Sequence, residues 1–252
     1  MIQTIDHGPV RELRLDRPPA NALNPDLIKA VRSAVESAPG DGARALVLSG
    51  APGFFSGGLD VPELIHLARP AIEETWRDFY AMMRALAASA IPIAAAITGH
   101  SPAGGAVMAI FCDYRVMAEG ELKIGLNEVQ VGIPLPPVIH AALHRLLGAH
   151  KAERLAVSGR LVPAAEALRL GLVDELAAPG RVVERAVEWC AQLLALPPTA
   201  MATTRRMARA DLVRLFDQSQ EEIGTVADAW FSDETQGVLR GIVERLASKK
   251  KG

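Results

Sequence analysis

The sequence is poor in the features that would assign it to a membrane, to nucleic acid or to an oxidising compartment. None of its apolar runs approaches the roughly 18 residues that a membrane-spanning helix needs. Its 27 basic and 29 acidic residues are interspersed, which excludes a global basic field for nucleic acid. The two cysteines, Cys112 and Cys190, lie in apolar helical surroundings and are interpreted as reduced packing residues. Because the first residues, MIQTIDHG, do not resemble a signal peptide, we expect a cytoplasmic protein.

Apolar runs followed by glycine-rich turns recur along the first half of the chain. The 252 residues, 50% of them hydrophobic, can bury one large core or a core plus a helical appendage. Alternating apolar residues at 2–5 and 10–15 predict a hairpin, and Asn24 before a proline predicts a helix N-cap. Strand, glycine turn and helix then recur at 43–67 and 91–111, which predicts stacked strand–helix turns.

Helices are predicted between and after these turns. Residues 71–89 read as one amphipathic helix, whose large residues are interpreted as core rather than as a cofactor site. Further helices are predicted at 182–196, 199–210, 211–230 and 233–248, with Ser232 capping the last.

Basic residues in the last third of the chain are candidates for contacts with a partner. Arg205, Arg206 and Arg209 form a cluster that is interpreted as a solvated face, with a phosphate group or a neighbouring subunit as the alternatives. Lys249–Lys251 are further candidates for such contacts.

The segment from Ile93 to Glu119 is the first candidate for a reactive site. Residues 93–98 form an apolar run typical of a strand buried on both faces. Pro102 suits the first turn of a helix, because its missing N–H would find no intrahelical partner there. Residues 103–105, Ala-Gly-Gly, then present backbone N–H groups at the positive end of a helix dipole. The alternative is a glycine-rich turn that only packs a helix tightly onto a sheet.

A second glycine-rich turn follows the apolar run at residues 45–48. Gly57 and Gly58 precede Leu59, whose N–H is therefore expected at the mouth of the turn, and Asp60 begins a helix. Two strand-end turns that each offer a free N–H can form an oxyanion hole, which stabilises a carbonyl as it becomes an enolate.

These turns resemble the motifs of the crotonase superfamily, the enoyl-CoA hydratases and isomerases. The resemblance rests on FSGGLD at 55–60, GHSPAGG at 99–105 and CDYR at 112–115, in that order, and extends to the ending FSDETQGVLRGIVERL. It implies an α/β fold, with a crotonase-like spiral of repeated ββα units in residues 1–195 that holds an acyl-CoA site. Residues 196–252 are then expected to form a C-terminal α-helical region that makes trimer contacts.

The resemblance also implies roles for individual residues. In the superfamily two backbone N–H groups bind the thioester oxygen, and matching by position assigns them to Leu59 and Gly104. No cofactor is expected, since CoA enters as part of the substrate, and no metal. The loop at 17–24 is expected to border the CoA pocket, although an ordinary connecting loop is the alternative. The expected substrate-binding residues are Ala20, Ala22, Gly58, Asp60, Val107, Pro134 and Leu135.

Glu128 is the candidate general base. Apolar neighbours in the run at 122–137 would partly desolvate its carboxylate and raise its pKa toward neutral pH. A surface or capping glutamate is the alternative from the residues alone, whereas the resemblance makes Glu128 a catalytic carboxylate. The second catalytic glutamate of the hydratases should lie three residues after the oxyanion glycine, where this chain has Val107.

The valine at that position favours movement of a double bond over hydration. Hydration needs a water held between acidic and basic groups, whereas one carboxylate can move a proton from C2 to C4 of a 3-enoyl-CoA. The sequence is most similar to the mitochondrial Δ3,Δ2-enoyl-CoA isomerase branch, which implies a role in fatty-acid β-oxidation. A hydratase, a thioesterase and a non-catalytic acyl-CoA-binding protein are the alternatives. The expected assembly is a homotrimer or a dimer of trimers, without nucleic acid or membrane partners.

Two other kinds of site are weaker candidates. The segment GHSPA at 99–103 nearly matches the nucleophile elbow of serine hydrolases, with Ser101 as the nucleophile. Pro102 argues against it, because the elbow takes an oxyanion donor from the N–H of the residue after the serine. His140 and His144 have the i, i+4 spacing of a zinc site but lack a glutamate directly after the first histidine.

Overall fold

The computed structural model describes residues 1–217 and 219–249, and its strands form two sheets. The predicted candidates Lys250 and Lys251 lie outside the described residues. The strands in chain order are β1 (Ile2–His7), β2 (Val10–Leu15), β3 (Ala45–Ser49), β4 (Gly53–Phe54), β5 (Ile93–Ile97), β6 (Gly99–Pro102), β7 (Tyr114–Ala118), β8 (Lys123–Gly125), β9 (Val162–Pro163) and β10 (Glu175–Ala177).

The helices cover the sheets and form most of the last third of the chain. They are α1 (Pro25–Ser37), α2 (Val61–Leu64), α3 (Arg69–Ala88), α4 (Gly104–Ile110), α5 (Pro137–Leu147), α6 (Ala149–Ser158), α7 (Ala164–Leu170), α8 (Val182–Leu194), α9 (Pro198–Ala208), α10 (Ala210–Arg214), α11 (Glu222–Trp230) and α12 (Asp233–Lys249). Short 3-10 helices lie at Glu128–Val131, Pro179–Arg181 and Ser219–Glu221. In the part of the chain that is described, no helix is long and apolar enough to cross a membrane.

The chain alternates between the two sheets as it advances. The large sheet has the order β1-β2-β3-β5-β7-β10 and is parallel except for the β1–β2 hairpin. The small sheet has the order β4-β6-β8-β9 and is antiparallel only between β8 and β9. Three successive turns, which begin at β3, β5 and β7, each place one strand in the large sheet, the next in the small sheet, and then a helix. This arrangement confirms the predicted spiral of ββα units.

The central strands are buried on both faces, as their apolar runs predict. On one face Leu46 and Ile93 belong to the main core, which α1 and α3 also form. On the other face Val47 and Ala94 pack in a second cluster with Cys190 of α8. Because successive side chains of a strand point to opposite faces, both sets must be apolar. The sheet is therefore a rigid base for the turns at its carboxyl edge.

Local hydrogen bonds confirm the predicted helix starts. Asn24 accepts the Leu27 N–H through Oδ1 at 3.0 Å, which fixes the first turn of α1. Ser232 accepts the Thr235 N–H through Oγ at 3.2 Å and caps α12 in the same way. Side-chain caps of this kind supply partners to N–H groups that the helix itself leaves unpaired.

The position predicted for Pro102 is wrong. Instead of a tight turn and a helical first residue, the chain forms β6, in which Pro102 is the last residue and pairs with Gly125 of β8. Proline has no N–H to donate to a strand ladder, and β6 ends at this residue. Helix α4 begins only at Gly104, after Ala103 has reversed the chain with φ +44°.

The predicted helix at 211–230 is interrupted. Helix α10 ends at Arg214, and α11 begins at Glu222. Between them the Ser219 hydroxyl donates to the carbonyl of Phe216 at 2.9 Å. Such local side-chain bonds compete with continued helix.

The arginine cluster is also not the solvated face that was predicted. Arg205 binds both carboxylate oxygens of Asp113 at 2.8 Å. Arg209 is buried and donates to the carbonyls of Ala87 at 3.1 Å and Phe111 at 2.6 Å. These carbonyls lie at the C-terminal ends of α3 and α4. Arg206 alone of the three is exposed.

Candidate active site

The two glycine-rich turns meet backbone to backbone. A Cβ atom added to Gly58 would lie 3.3 Å from the amide nitrogen of Gly104, and one added to Gly104 would lie 3.3 Å from the Cα of Gly58. Gly58 also has φ +84°, which a residue with a side chain rarely adopts. Glycine is therefore required at both positions for the turns to touch.

Hydrogen bonds hold the first turn while leaving one donor free. The Leu23 N–H donates to the Gly58 carbonyl at 2.7 Å, and the Asp60 N–H donates to the Leu23 carbonyl at 3.0 Å. The hydroxyl of Ser56 accepts the Gly58 N–H at 3.2 Å. Within the described residues the intervening Leu59 N–H donates to no protein group. This unpaired N–H belongs to a residue that lines a cavity.

The second turn is held in a conformation that an alanine rarely adopts. Ala103 has φ +44° and ψ −119°, and its N–H donates to the Gly125 carbonyl at 2.9 Å. Backbone strain of this kind persists only where the surroundings impose it, and it is common at functional sites. The next residue, Gly104, is the first of α4, so its N–H has no intrahelical partner. Gly104 lines the same cavity as Leu59.

A single buried carboxylate lies in the wall of that cavity. Glu128 begins a 3-10 helix that ends at Gly132, whose φ of +76° closes the turn. Glu128 as a residue is 8% exposed, and its carboxylate oxygen Oε2 has no hydrogen-bond partner among the described residues. Burial raises the pKa of Glu128 to about 7. A carboxyl group with this pKa can both accept and return a proton near neutral pH.

The cavity has a volume of about 980 Å³, with an apolar interior and a charged mouth. At the mouth Arg17 binds the carboxylate of Asp60 at 2.6 Å and that of Glu63 at 2.9 Å. Asp60 in turn accepts the Glu63 N–H at 3.2 Å, which caps α2. The apolar interior is lined by Trp76, Phe79, Val131, Ile133, Pro136, Ile139, Trp230 and Ile242.

The structure brings six of the ten predicted site residues to the cavity wall and leaves four away from it. The six are Leu59, Gly104, Glu128, Ala20, Ala22 and Asp60. Gly58 supports the wall from behind, and Val107 is fully buried in the core within α4. Pro134 and Leu135 are not among the lining residues, whereas their neighbours Ile133 and Pro136 are.

Several lining residues were not predicted from the sequence. Trp76 and Phe79 are buried, as the core interpretation of α3 requires, yet they also face the cavity. Trp230 is likewise buried and lines the cavity, and the half-buried Ile242 and the exposed Arg245 of α12 line it as well. Helical periodicity identifies an apolar face but does not distinguish a packed core from the wall of a cavity. The loop at 17–24 was expected to border the pocket, and the positive charge of Arg17 within it is the signal that could have added this residue to the predicted site.

The structure does not support the two alternative sites, the serine nucleophile and the histidine zinc site. Ser101 is fully buried, and its Oγ has no partner among the described residues, so no base activates it. His140 and His144 lie on the outer side of α5. Within residues 1–217 and 219–249 no group of three or more His, Cys, Asp or Glu side chains could hold a metal ion. Burial raises the pKa of the Cys112 and Cys190 thiols to about 12, which agrees with packing roles.

Comparison with known proteins assigns the family. Residues 6–249 match the family model described as enoyl-CoA hydratase/isomerase. The chain therefore belongs to the enoyl-CoA hydratase/isomerase family, and its fold is the crotonase fold that the sequence motifs predicted.

Relatives of both activities are similar to this chain. Human mitochondrial enoyl-CoA delta isomerase 1 is 32% identical over 245 residues, which cover 96% of this chain and 81% of the relative. A probable enoyl-CoA hydratase of Mycobacterium avium is 36% identical over 194 residues, covering 77% of this chain and 75% of the relative. The crystal structure of human mitochondrial Δ3,Δ2-enoyl-CoA isomerase superposes with a TM-score of 0.93 at 30% identity, covering 99% of each chain.

Proposed function

We propose that the protein is a Δ3,Δ2-enoyl-CoA isomerase, which moves the double bond of a 3-enoyl-CoA to the trans-2 position. The observation that carries the proposal is the composition of the cavity wall. Within the described residues Glu128 is the one buried carboxylate that lines the cavity, and it shares the wall with two unpaired backbone N–H groups. Asp60 and Glu63 lie at the mouth, where both are paired with Arg17.

The two N–H groups would bind the thioester oxygen. In this proposal the Leu59 and Gly104 N–H groups donate to the carbonyl oxygen of the acyl-CoA and stabilise the negative charge that develops on it. Donors fixed in place before the reaction are worth about 100- to 1000-fold in rate each. Gly58 and Ala103 support this arrangement because their backbones hold the two turns in contact.

Glu128 would move the proton. As a carboxylate it removes a proton from C2, and the electron pair of that C–H bond spreads over C2, C3 and C4 and the oxygen as a dienolate. The carboxylic acid formed on Glu128 then donates the same proton to C4, and the new double bond lies between C2 and C3. The step consumes no water, and it restores the carboxylate. The raised pKa of Glu128, about 7, suits both halves of the transfer.

Hydration is the second candidate, because the mycobacterial relatives carry the name hydratase. Val107 argues against it. This residue follows Gly104 by three positions, where hydratases of the superfamily are expected to carry their second carboxylate, and its side chain is fully buried among apolar groups. Hydration by Glu128 would therefore lack the second acid–base group on which that reaction relies.

The remaining parts of the proposal concern CoA and assembly. Ala20 and Ala22 lie on the wall near the mouth and are proposed to contact the CoA moiety, which enters as part of the substrate; no other cofactor is invoked. Arg245 adds a positive charge at the same cavity. Residues 1–195 are proposed as the spiral core and residues 196–252 as the helical region through which the protein forms a homotrimer or a dimer of trimers.

One assay tests the proposal directly. Purified protein is given 3-enoyl-CoA and 2-enoyl-CoA of several chain lengths, and isomerisation and hydration are followed in parallel. The proposal expects isomerisation to exceed hydration by at least about 100-fold, the smaller contribution of one acid–base group. Comparable rates of the two reactions would favour the hydratase, and turnover of neither would favour another acyl-CoA reaction or binding alone.

A further inference from the structure

Helix α12 contributes to the same cavity as Glu128 and is attached to the turn that carries it. Ile242, Arg245 and Leu246 of this helix line the cavity. At the other end of α12, Thr235 is 1% exposed, and its Oγ1 donates a hydrogen bond to the backbone carbonyl of Gly132. One hydroxyl therefore joins two segments that are 103 residues apart in the chain.

Gly132 is the residue that ends the 3-10 helix of Glu128. The next residue, Ile133, donates its N–H to the Glu128 carbonyl at 3.0 Å, so the turn is closed on both sides of Gly132. A Cβ added to Gly132 would lie 3.1 Å from the Cα of Thr235. Since the two backbones are in contact, a shift of α12 at Thr235 would displace the Glu128 turn.

The Thr235 hydroxyl is itself oriented by a second hydroxyl. Ser232 Oγ donates to Thr235 Oγ1 at 3.0 Å, and the same Ser232 oxygen accepts the Thr235 N–H at 3.2 Å. Because Thr235 Oγ1 accepts from Ser232, its own hydrogen points toward Gly132. Hydrogen bonds in such a chain polarise and strengthen one another.

We infer that Thr235 is a positioning residue for the reaction, because its bond to Gly132 fixes the Glu128 turn at the cavity and holds α12 over it as a wall against water. The expected effect of Thr235 on turnover rests on the proposed function, whereas its expected effect on the titration of the Glu128 carboxyl group does not. The charged residues that share the cavity wall with Glu128 are Arg17, Asp60, Glu63 and Arg245.

None of these four charges causes the raised pKa of Glu128, which is due to burial. A loosened α12 would admit water and lower this pKa toward the ordinary value of a glutamate, about 4.5. The pKa of Glu128 therefore reports on the attachment of α12 in a way that thermal stability does not.

The variant Thr235→Val keeps the shape of the side chain and removes the hydroxyl. We expect kcat for 3-enoyl-CoA isomerisation to fall about tenfold, since a small displacement of a reacting group can cost up to about 100-fold. KM should stay within about twofold, and the acid limb of the kcat profile should move to lower pH by about one unit. Thr235→Ser, which retains the hydroxyl, should restore both quantities.

A matched control is Thr75→Val. Thr75 is also buried, but its hydroxyl donates at 2.7 Å to the Ala71 carbonyl within its own helix. Its loss should change neither kcat nor the pH profile by more than about twofold. An equal effect of the two valine variants would assign the change to general destabilisation and overturn the inference.

A measurement without turnover separates this inference from the proposed function. The infrared carboxyl band that Glu128→Gln abolishes is titrated in the native protein and in Thr235→Val. A titration that moves to lower pH in the variant supports the inference even if no isomerase activity is found. Unchanged titration and unchanged kcat would assign Thr235 a purely structural role. If Thr235→Val does not fold, Ser232→Ala removes the donor to Thr235 Oγ1 instead, and the absence of any shift in that variant overturns the inference.

Discussion

The two halves of the candidate site are built in opposite ways. The two proposed N–H donors are backbone groups, in turns where Gly58 and Gly104 touch without side chains between them. The proposed base, Glu128, is a single side chain on a one-turn 3-10 helix, and the neighbouring residues Val129 and Gln130 are exposed. The donor pair should therefore be disrupted by adding side-chain atoms, whereas the base should be disrupted by removing one functional group. Because of this difference, mutations can test the contribution of each half separately.

Removal of the base should have the largest effect. Glu128→Gln keeps the size of the side chain but removes the proton acceptor, and turnover should fall about 1000-fold, within the range for general acid–base catalysis. Binding of a saturated acyl-CoA, measured by calorimetry, should be retained, because the N–H donors are untouched. Turnover within about threefold of the native value would refute the assignment of Glu128.

Addition of a side chain to the donor half should have the next largest effect. In Gly104→Val the new Cβ would lie 2.8 Å from Leu23 Cδ1 and 3.3 Å from Gly58 Cα, so the turns must separate. We expect kcat/KM to fall about 100-fold, equivalent to about 3 kcal/mol of transition-state stabilisation. Gly104→Ala should lie between the native protein and this variant. Ser101→Ala should be nearly silent, since the Ser101 hydroxyl has no partner in the described part of the chain. Labelling of Ser101 by a fluorophosphonate probe would instead favour a serine hydrolase.

The pH profile of kcat/KM should distinguish the base from the N–H donors in the native protein, because only the base titrates. With a pKa of about 7 for Glu128, kcat/KM should fall about tenfold per pH unit below 7 as the carboxylate is protonated. In Gly104→Val the activity that remains should show the same acid limb. A limb near pH 4.5 in the native protein would mean that Glu128 is hydrated in solution.

As pH rises, the contribution of Glu128 to the free energy of unfolding should fall, whereas activity should rise. Burial raises the folded-state pKa of Glu128 from about 4.5 to about 7, so its contribution to stability is present below 4.5 and is lost as pH rises through 7. The free energy of unfolding of Glu128→Gln minus that of the native protein should therefore increase by up to about 3 kcal/mol between pH 5 and pH 8. Urea denaturation of both proteins at the two pH values measures this gain, and parallel changes would contradict it.

The smallest effect is expected from adding a second base. Val107→Glu should raise hydration of 2-enoyl-CoA about tenfold over the native background, while a buried unpaired carboxylate lowers stability by several kcal/mol. Val107→Gln is the control for size, and it should give no gain. If native hydration already matches isomerisation, the argument from Val107 is wrong.

Features that depend on local sequence could be predicted, and those that depend on distant partners could not. Asn24 and Ser232 were identified as caps because the capping bond lies within three residues. The strand after Ile97 was missed because β6 is stabilised by pairing with β4 and β8, not by its own four residues. The position of Ile242 in the cavity wall follows from the packing of α12 on the Glu128 turn, which no local pattern encodes.

Glu128 itself could be predicted only as a candidate. Its apolar neighbours suggested desolvation, but the same residues are compatible with a glutamate at the surface. Burial of the carboxylate requires the cavity that α3, α5 and α12 complete, and the order of these helices in space follows from the whole chain. It was the resemblance to the family motifs, rather than the local sequence, that favoured a catalytic role for Glu128 over a surface position.

The buried Arg209 has a consequence for the order in which the protein can be completed during synthesis. It donates to the Phe111 carbonyl across 98 residues of sequence, and Arg205 reaches Asp113 across 92. While the ribosome is still making α5 to α8, the carbonyl groups of Ala87 and Phe111, at the ends of α3 and α4, lack the guanidinium group of Arg209. Domains generally form from the N-terminus as they emerge, and a contact of this separation closes late. Helix α4, which begins at the proposed donor Gly104, is thus held at its far end by a segment that is synthesised after it, so a chain stopped before α9 has the candidate site motifs without this support.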